Sequence, residues 1–184
     1  MKNALFSVLV LASPAFAECP VAPDHTAALS DLIEQSRAAT NDFEGQQIGD
    51  EMWKLWADAP DEQAQKVLDM GMARRSSYDF AGALKEFDAL VAYCPDYAEG
   101  YNQRAFVNFL SQNYEKAVVD LQKALELSPR HVAARAGLAL TYMEMGDLDE
   151  ARVELRRALK DNPWLGERHL LSKGGRLAPK GEDI

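Results

Sequence analysis

The chain has 184 residues, enough for one compact domain or one short solenoid. Hydrophobic residues make up 47% and charged residues 27%, a globular balance that excludes a disordered chain. The formal net charge of -9 argues against nucleic acid or an anionic membrane surface as partner.

Residues 1–17 read as a secretory signal peptide. Lys2 is a short positive region, Ala4 to Ala12 is apolar apart from Ser7, and Ala15-Phe16-Ala17 puts small residues where signal peptidase needs them. Cleavage after Ala17 leaves Glu18 first. The run is too short for a permanent bilayer anchor; an uncleaved apolar N-terminal helix is the alternative. A lipoprotein signal has a small residue before its cysteine, whereas Glu18 precedes Cys19. The expectation is therefore a soluble periplasmic protein without stable membrane insertion. In an oxidising compartment Cys19 and Cys94 are compatible with one disulfide, worth about 4 kcal/mol in the chain-entropy picture if unstrained. No Cys-x-x-Cys pair is present for redox catalysis.

Residues 18–63 carry two predicted helices. The first runs from Asp24, a candidate N-cap, to Thr40, with Ala28, Leu29, Leu32 and Ile33 on one face. The second runs from Glu44 to Ala59, with Ile48, Met52, Trp53, Leu55 and Trp56, and stops before Pro60. Pro60 falls one residue off the period described next, so this segment reads as a degenerate hairpin capping the N-terminal end of a stack. Trp53 and Trp56 share a face, either for core packing or for stacking on a ligand.

Beyond residue 63 the chain repeats itself. Pro95, Pro129 and Pro163 recur every 34 residues, as do Ala83, Ala117 and Ala151, and as do Phe87, Leu121 and Leu155. Blocks 64–97, 98–131 and 132–165 each read as two amphipathic helices, joined by turns at Ser76 to Asp79, Ser111 to Asn113 and Gly146-Asp147. The prolines end the second helices, because proline lacks an amide donor and disfavours helix at the residue before it. The alanines mark where two helices cross closely.

This period and these residues resemble the tetratricopeptide repeat family. Block two, AEGYNQRAFVNFLSQNYEKAVVDLQKALELSP, carries the signature at Tyr101, Ala105, Tyr114, Ala117, Leu121, Ala124 and Pro129. Block three supplies Leu138, Ala139, Tyr142, Gly146, Ala151, Leu155, Ala158 and Pro163; block one keeps Met70, Gly71, Phe80, Ala83, Phe87 and Pro95. The resemblance implies an all-α, right-handed superhelical solenoid of antiparallel helix hairpins. It also implies a role in binding a protein or peptide, since the first helix of each hairpin lines a concave groove in this family. The groove positions carried over are Leu68, Met72 and Arg75; Asn102, Phe106, Phe109 and Leu110; and Ala136, Leu140 and Met143. That surface is mostly apolar and suits an amphipathic helix or an extended apolar peptide. The alternatives are that the N-terminal hairpin or a second copy, as in a homodimer, fills it.

The sequence also departs from the pattern. Arg74 and Asn108 stand where block three has Tyr142, Arg104 replaces a usual leucine, and Arg135 takes the place of Tyr101. They either pair with acids such as Asp88, Asp120 and Glu154 or form a polar network for a ligand. The relatives that grip chaperone C-termini use a lysine and asparagine clamp. Its positions here hold Leu68, Met72, Gln103, Ala133 and Gly137, none cationic, which argues against that partner class.

Catalytic signatures are missing from the sequence. His25, His131 and His169 are isolated, and no phosphate loop or nucleophile elbow is present. Carboxylates read as solvated faces with pairs such as Asp120 to Lys123 and Glu154 to Arg157. The expectation is a binding protein rather than an enzyme, with no cofactor and no metal. The C-terminal segment, residues 166–184, follows the third block; a short helix predicted from Trp164 to Leu171 starts just before it and covers the end of the stack. Ser172 to Ile184 reads as a disordered tail.

Overall fold

The computed structural model describes residues 18–179; the signal peptide expected at 1–17 and residues 180–184 of the expected tail lie outside them. Eight helices follow one another: α1 (Thr26–Ala38), α2 (Asp42–Trp56), α3 (Glu62–Ser76), α4 (Phe80–Tyr93), α5 (Ala98–Leu110), α6 (Tyr114–Leu127), α7 (Val132–Met145) and α8 (Leu148–Asp161). A short 3-10 helix, Gly166–Leu171, closes the series, and there is no strand among the described residues. None of these helices is long and apolar enough to cross a membrane.

Helices α3 to α8 form three antiparallel hairpins, each packed on the next. The repeated alanines Ala83, Ala117 and Ala151 are fully buried, as are Phe87 and Leu155, with Leu121 nearly so. Small residues at one register let the helices of each hairpin approach, and the large residue one turn later fills the space beside them. Gly71 shows how close the approach is: a Cβ there would lie 2.4 Å from the Phe87 ring.

The turns repeat as well. Asp79, Asn113 and Asp147 donate their amides to the carbonyls of Arg74, Asn108 and Tyr142 at 2.9, 2.8 and 2.9 Å. These bonds span five residues, as in a Schellman ending. The divergent position of the repeat thus serves through its backbone carbonyl, which explains why its side chain is free to change. The residue before each of these amides has a positive φ: Tyr78 at 62°, Gln112 at 60° and Gly146 at 91°.

The N-terminal hairpin departs from the expectation. It does not cap the stack at α3. Leu29, Ile33, Met52 and Trp56 pack instead on Val132, Ala136 and Ala158 of the third hairpin and on Leu165. Polar contacts fix this placement. Ser36 Oγ donates to Asn162 Oδ1 at 3.0 Å, Trp164 Nε1 donates to the Ser36 carbonyl at 2.9 Å, and Arg37 pairs with Asp161 at 2.7 Å. The first hairpin is covered by shorter pieces: Ala57 and Ala59 pack with Leu68, Phe87 and Leu90, and Cys19 and Ala22 lie against the same cluster. Cys19 is bonded to Cys94 at the end of α4, across 75 residues, with Cα atoms 5.1 Å apart. All four bounds of these helices also shift: α1 starts at Thr26, whose amide binds Asp24 Oδ1 at 3.0 Å, and ends at Ala38, and α2 starts at Asp42 because Asn41 caps it through the Glu44 amide, and ends at Trp56.

The tail expectation fails from Ser172 to Leu177. Leu177 is fully buried beside Met143, Leu155 and Leu170. Its amide donates to the Leu170 carbonyl at 2.8 Å and its carbonyl accepts from Arg152 Nε at 3.1 Å. One leucine among glycines and charges makes no periodic pattern, so sequence periodicity is blind to it.

Candidate functional site

A cavity of about 360 Å³ lies on the concave face of the hairpins. Helix α5 contributes Asn102, Gln103, Phe106 and Phe109, and α7 contributes Ala133, Ala136, Gly137 and Leu140. Arg75 enters from α3, Leu121 and Ala105 form the floor, and Trp53 of α2 with Leu165 and Glu167 closes a third side. Phe106 is 44% exposed and Trp53 41% exposed, so two aromatic rings stand at the surface of an apolar hollow.

Six of the ten expected groove residues meet here: Arg75, Asn102, Phe106, Phe109, Ala136 and Leu140. Four do not. Leu68 is fully buried under the linker after α2, and Met72 packs on that same cluster. Met143 is buried by the C-terminal segment with Leu170 and Leu177. Leu110 is exposed outside the cavity lining. Leu68 and Met143 are hidden by flanking segments whose path the repeat pattern does not encode. Gln103, Ala133 and Gly137, expected at clamp positions, line the cavity and are uncharged; the cation in its lining is Arg75. Trp53 splits from Trp56: the former faces the cavity, the latter is buried.

Beneath the cavity lies a polar network that sequence reasoning missed. Glu99, on the first turn of α5, is 1% exposed and accepts from Asn102 Nδ2 at 3.0 Å, from Gln103 Nε2 and from His131 Nε2 at 2.8 Å. His131 is fully buried and caps α7: its Nδ1 accepts from the Ala134 amide at 3.2 Å, which leaves Nε2 as the protonated nitrogen facing Glu99. Its ring stacks on Trp56 with centroids 4.3 Å apart. Tyr97, one repeat before His131, donates its hydroxyl to the Trp56 carbonyl at 2.9 Å. Burial pushes the Tyr97 phenol well above its usual range, and the Glu99 charge adds to that. Leu165, one repeat after His131, packs on the same N-terminal cluster. The residue preceding the first helix of the second and third repeats, and its counterpart after the third, thus receives α2. The 34-residue spacing of Tyr97, His131 and Leu165 was the signal available for it.

The departures from the repeat pattern resolve mainly into ion pairs. Arg104 binds Asp120 at 2.6 Å and Asp88 at 2.8 Å, Arg135 binds Glu154 at 2.8 Å, and Arg74 binds Asp79 at 2.8 Å and Glu86 at 3.1 Å. Hydrogen bonding to Asp120 raises the Arg104 guanidinium above its ordinary value. Asn108 is buried and supplies the turn carbonyl already described. Glu154 also pairs with Arg157 at 2.7 Å, but Lys123 bonds Glu126 rather than Asp120, which Arg104 has claimed. Arg75 differs: its Nη1 donates to Gln103 Oε1, and its guanidinium lies 4.8 Å from the centroid of Phe106. Burial pulls the Arg75 guanidinium below its ordinary value, against the opposing charge of Glu99. Among the described residues no three His, Cys, Asp or Glu side chains cluster as a metal site.

Comparison with known proteins agrees with this architecture. A family model described as tetratricopeptide repeat matches residues 108–163. A TPR repeat-containing protein of Rhizobium etli is 28% identical over 119 residues, covering 65% of this chain and 58% of that protein. DnaJ homolog subfamily C member 3 of Bos taurus is 36% identical over 100 residues, 54% of this chain but only 20% of its own length. The chain therefore spans less than two thirds of these relatives. Among solved structures, the TPR2B domain of yeast Sti1 in its pHsp70 complex superposes with a TM-score of 0.53 at 24% identity, over 55% of this chain and 82% of that one. The first TPR of Spaghetti (RPAP3) bound to the HSP90 peptide SRMEEVD gives 0.56 at 19% identity, over 58% and 86%. By its repeats, its hairpin geometry and these matches, the chain carries tetratricopeptide repeats.

Proposed function

We propose that the protein is an exported interaction scaffold of the periplasm that holds an apolar segment of another envelope protein against the cavity between α2, α5 and α7. Phe106 carries the reading. It is a large aromatic side chain held partly in water at the edge of a concave apolar hollow, and soluble proteins keep such surfaces mainly for partners. The cavity has the size of a small-ligand pocket, so it receives one or two side chains rather than a helix laid along the whole groove. Two fold relatives are complexes with chaperone peptides. With no cation at Gln103, Ala133 or Gly137, this chain is read as serving a different partner. Export is supported by the signal pattern and by a disulfide that suits an oxidising compartment.

Phe106→Asp tests the groove, with photo-crosslinking from position 106 in cells to capture the occupant. Binding is expected to vanish while helical circular dichroism and melting stay unchanged; retained binding rejects the assignment. Phe109 is a poorer probe, because it packs in the α5–α6 core against Tyr114. Mass spectrometry of the protein from a periplasmic extract is expected to find Glu18 at the N-terminus; an intact Met1 in the cytoplasmic fraction rejects export. Sedimentation addresses a second copy as occupant, which requires association that grows with concentration.

A further inference from the structure

We infer that the segment seated in this cavity carries one acidic side chain close to its apolar anchor, and that Arg75 receives that carboxylate. The inference rests on the groove reading above and adds the chemistry of the occupant.

Arg75 is the exception among the arginines. Among the described residues, the other half-buried or buried ones all have a carboxylate within ion-pair distance: Arg104 with Asp120, Arg130 with Asp161, Arg135 with Glu154, Arg152 with Asp149 and Arg168 with Asp42. Arg75 has a neutral amide oxygen and the face of Phe106, and its Nε and Nη2 have no acceptor among the described residues. Glu99 reaches it through Gln103 rather than directly, and the Glu99 oxygens already accept from Asn102, Gln103 and His131. A guanidinium drawn partly out of water without an anion is costly, so the unfilled side of the fork marks where an anion belongs. The fork matches a carboxylate with two parallel hydrogen bonds, and the apolar walls strengthen the pairing.

Two observations define the occupant further. Glu167 is in the same lining, so a second negative group on the occupant meets like charge. Phe106 and Trp53 carry the apolar lining out to the surface. A small free acid leaves those rings bare, whereas a side chain of a longer segment brings neighbours that cover them.

The test uses purified protein and fluorescein-labelled, C-terminally amidated peptides of about ten residues, the order of a short recognition segment. Each holds one Phe with a Glu nearby, beside a twin with Gln in that place. Glu peptides are expected to bind about tenfold more tightly than their Gln twins, the gain of one charge-assisted fork. Arg75→Gln should erase that preference, and Arg75→Lys should keep part of it. Replacing the peptide Phe by Ala should abolish binding to every variant. Equal affinity of the twins, with dependence on Phe intact, overturns the inference and leaves the groove reading standing. Loss of dependence on Phe overturns both. Tighter binding of non-amidated peptides, or full competition by phenylpropionate, overturns it in favour of a chain end or a small acid. If Arg75→Gln does not fold, the wild type decides: the preference for Glu must shrink as sodium chloride rises, and a preference unmoved by salt overturns the ion pair.

Discussion

The hairpins from α3 to α8 and the hairpin of α1 and α2 use helices of the same size, 13 to 15 residues, yet they are held by different physics. The three repeats meet through small residues at a fixed register, and each contacts chiefly its neighbours in sequence. The N-terminal hairpin meets the fold through large residues and through hydrogen bonds between positions 126 and 128 residues apart. Closing so long a loop carries an entropic cost that neighbouring repeats do not face. The long-range contacts must be strong and specific to repay it, and Trp56, stacked on His131 and bonded by Tyr97, is where they converge. A repeat array thus acquires an irregular wall, and that wall turns an open groove into a cavity.

Breaking the regular part should do the most damage. Ala117→Arg forces a long charged side chain into a site with no exposed surface, so a loss above about 4 kcal/mol is expected from overpacking and charge burial together. Chemical denaturation should show the whole transition moving, because α5 and α6 lie in the middle of the stack. Breaking the irregular part should be more local. Trp56→Ala removes a nearly buried ring and is expected to cost about 3–5 kcal/mol. Hydrogen exchange should locate that loss in residues 26–56, with α5 and α6 still protected. Trp56→Phe sharpens the point: Trp56 Nε1 is buried without a hydrogen-bond partner among the described residues, so Phe removes an unsatisfied donor and should cost far less.

The disulfide belongs to the irregular side of the comparison. Cys19→Ser with Cys94→Ser is expected to lower stability by about 2–4 kcal/mol, since the bond restrains a long loop of the unfolded chain. The exposed start of the chain should become protease-sensitive while the cavity keeps its affinity for partner peptides. Equal melting of the oxidised protein and the double variant would place the tether outside the energetics of the fold.

What was legible in the sequence follows the same division. The alanines, prolines and turns recur because every repeat solves one local packing problem, so a period of 34 residues displays them. The cavity was half legible. Arg75, Phe106 and Leu140 follow from repeat position alone, but Leu68 and Met143 are covered by segments that occur once. Leu177 illustrates the limit, because a single buried leucine in a glycine-rich stretch has no periodicity to reveal it. His131 has no Cys/His-type spacing partner in the sequence; its place as a buried cap and stacking partner is visible only once Glu99 and Trp56 are beside it.

The smallest expected effect lies within the repeats themselves. Tyr78, Gln112 and Gly146 occupy the same turn position with φ of 62°, 60° and 91°. Left-handed backbone costs an ordinary residue about 1–2 kcal/mol, whereas glycine adopts it freely but loses more entropy on folding. The difference predicts that Gln112→Gly stabilises the protein by about 0.5–1 kcal/mol, read as a rise in the denaturation midpoint at constant slope. Gly146→Ala should destabilise by a similar amount. Tyr78 is a less clean site, because its ring also lies 6.1 Å from that of Phe80 and its removal mixes two effects. A destabilised Gln112→Gly would mean that the Gln112 side chain, and not the turn geometry shared by the three hairpins, sets the energy of that turn.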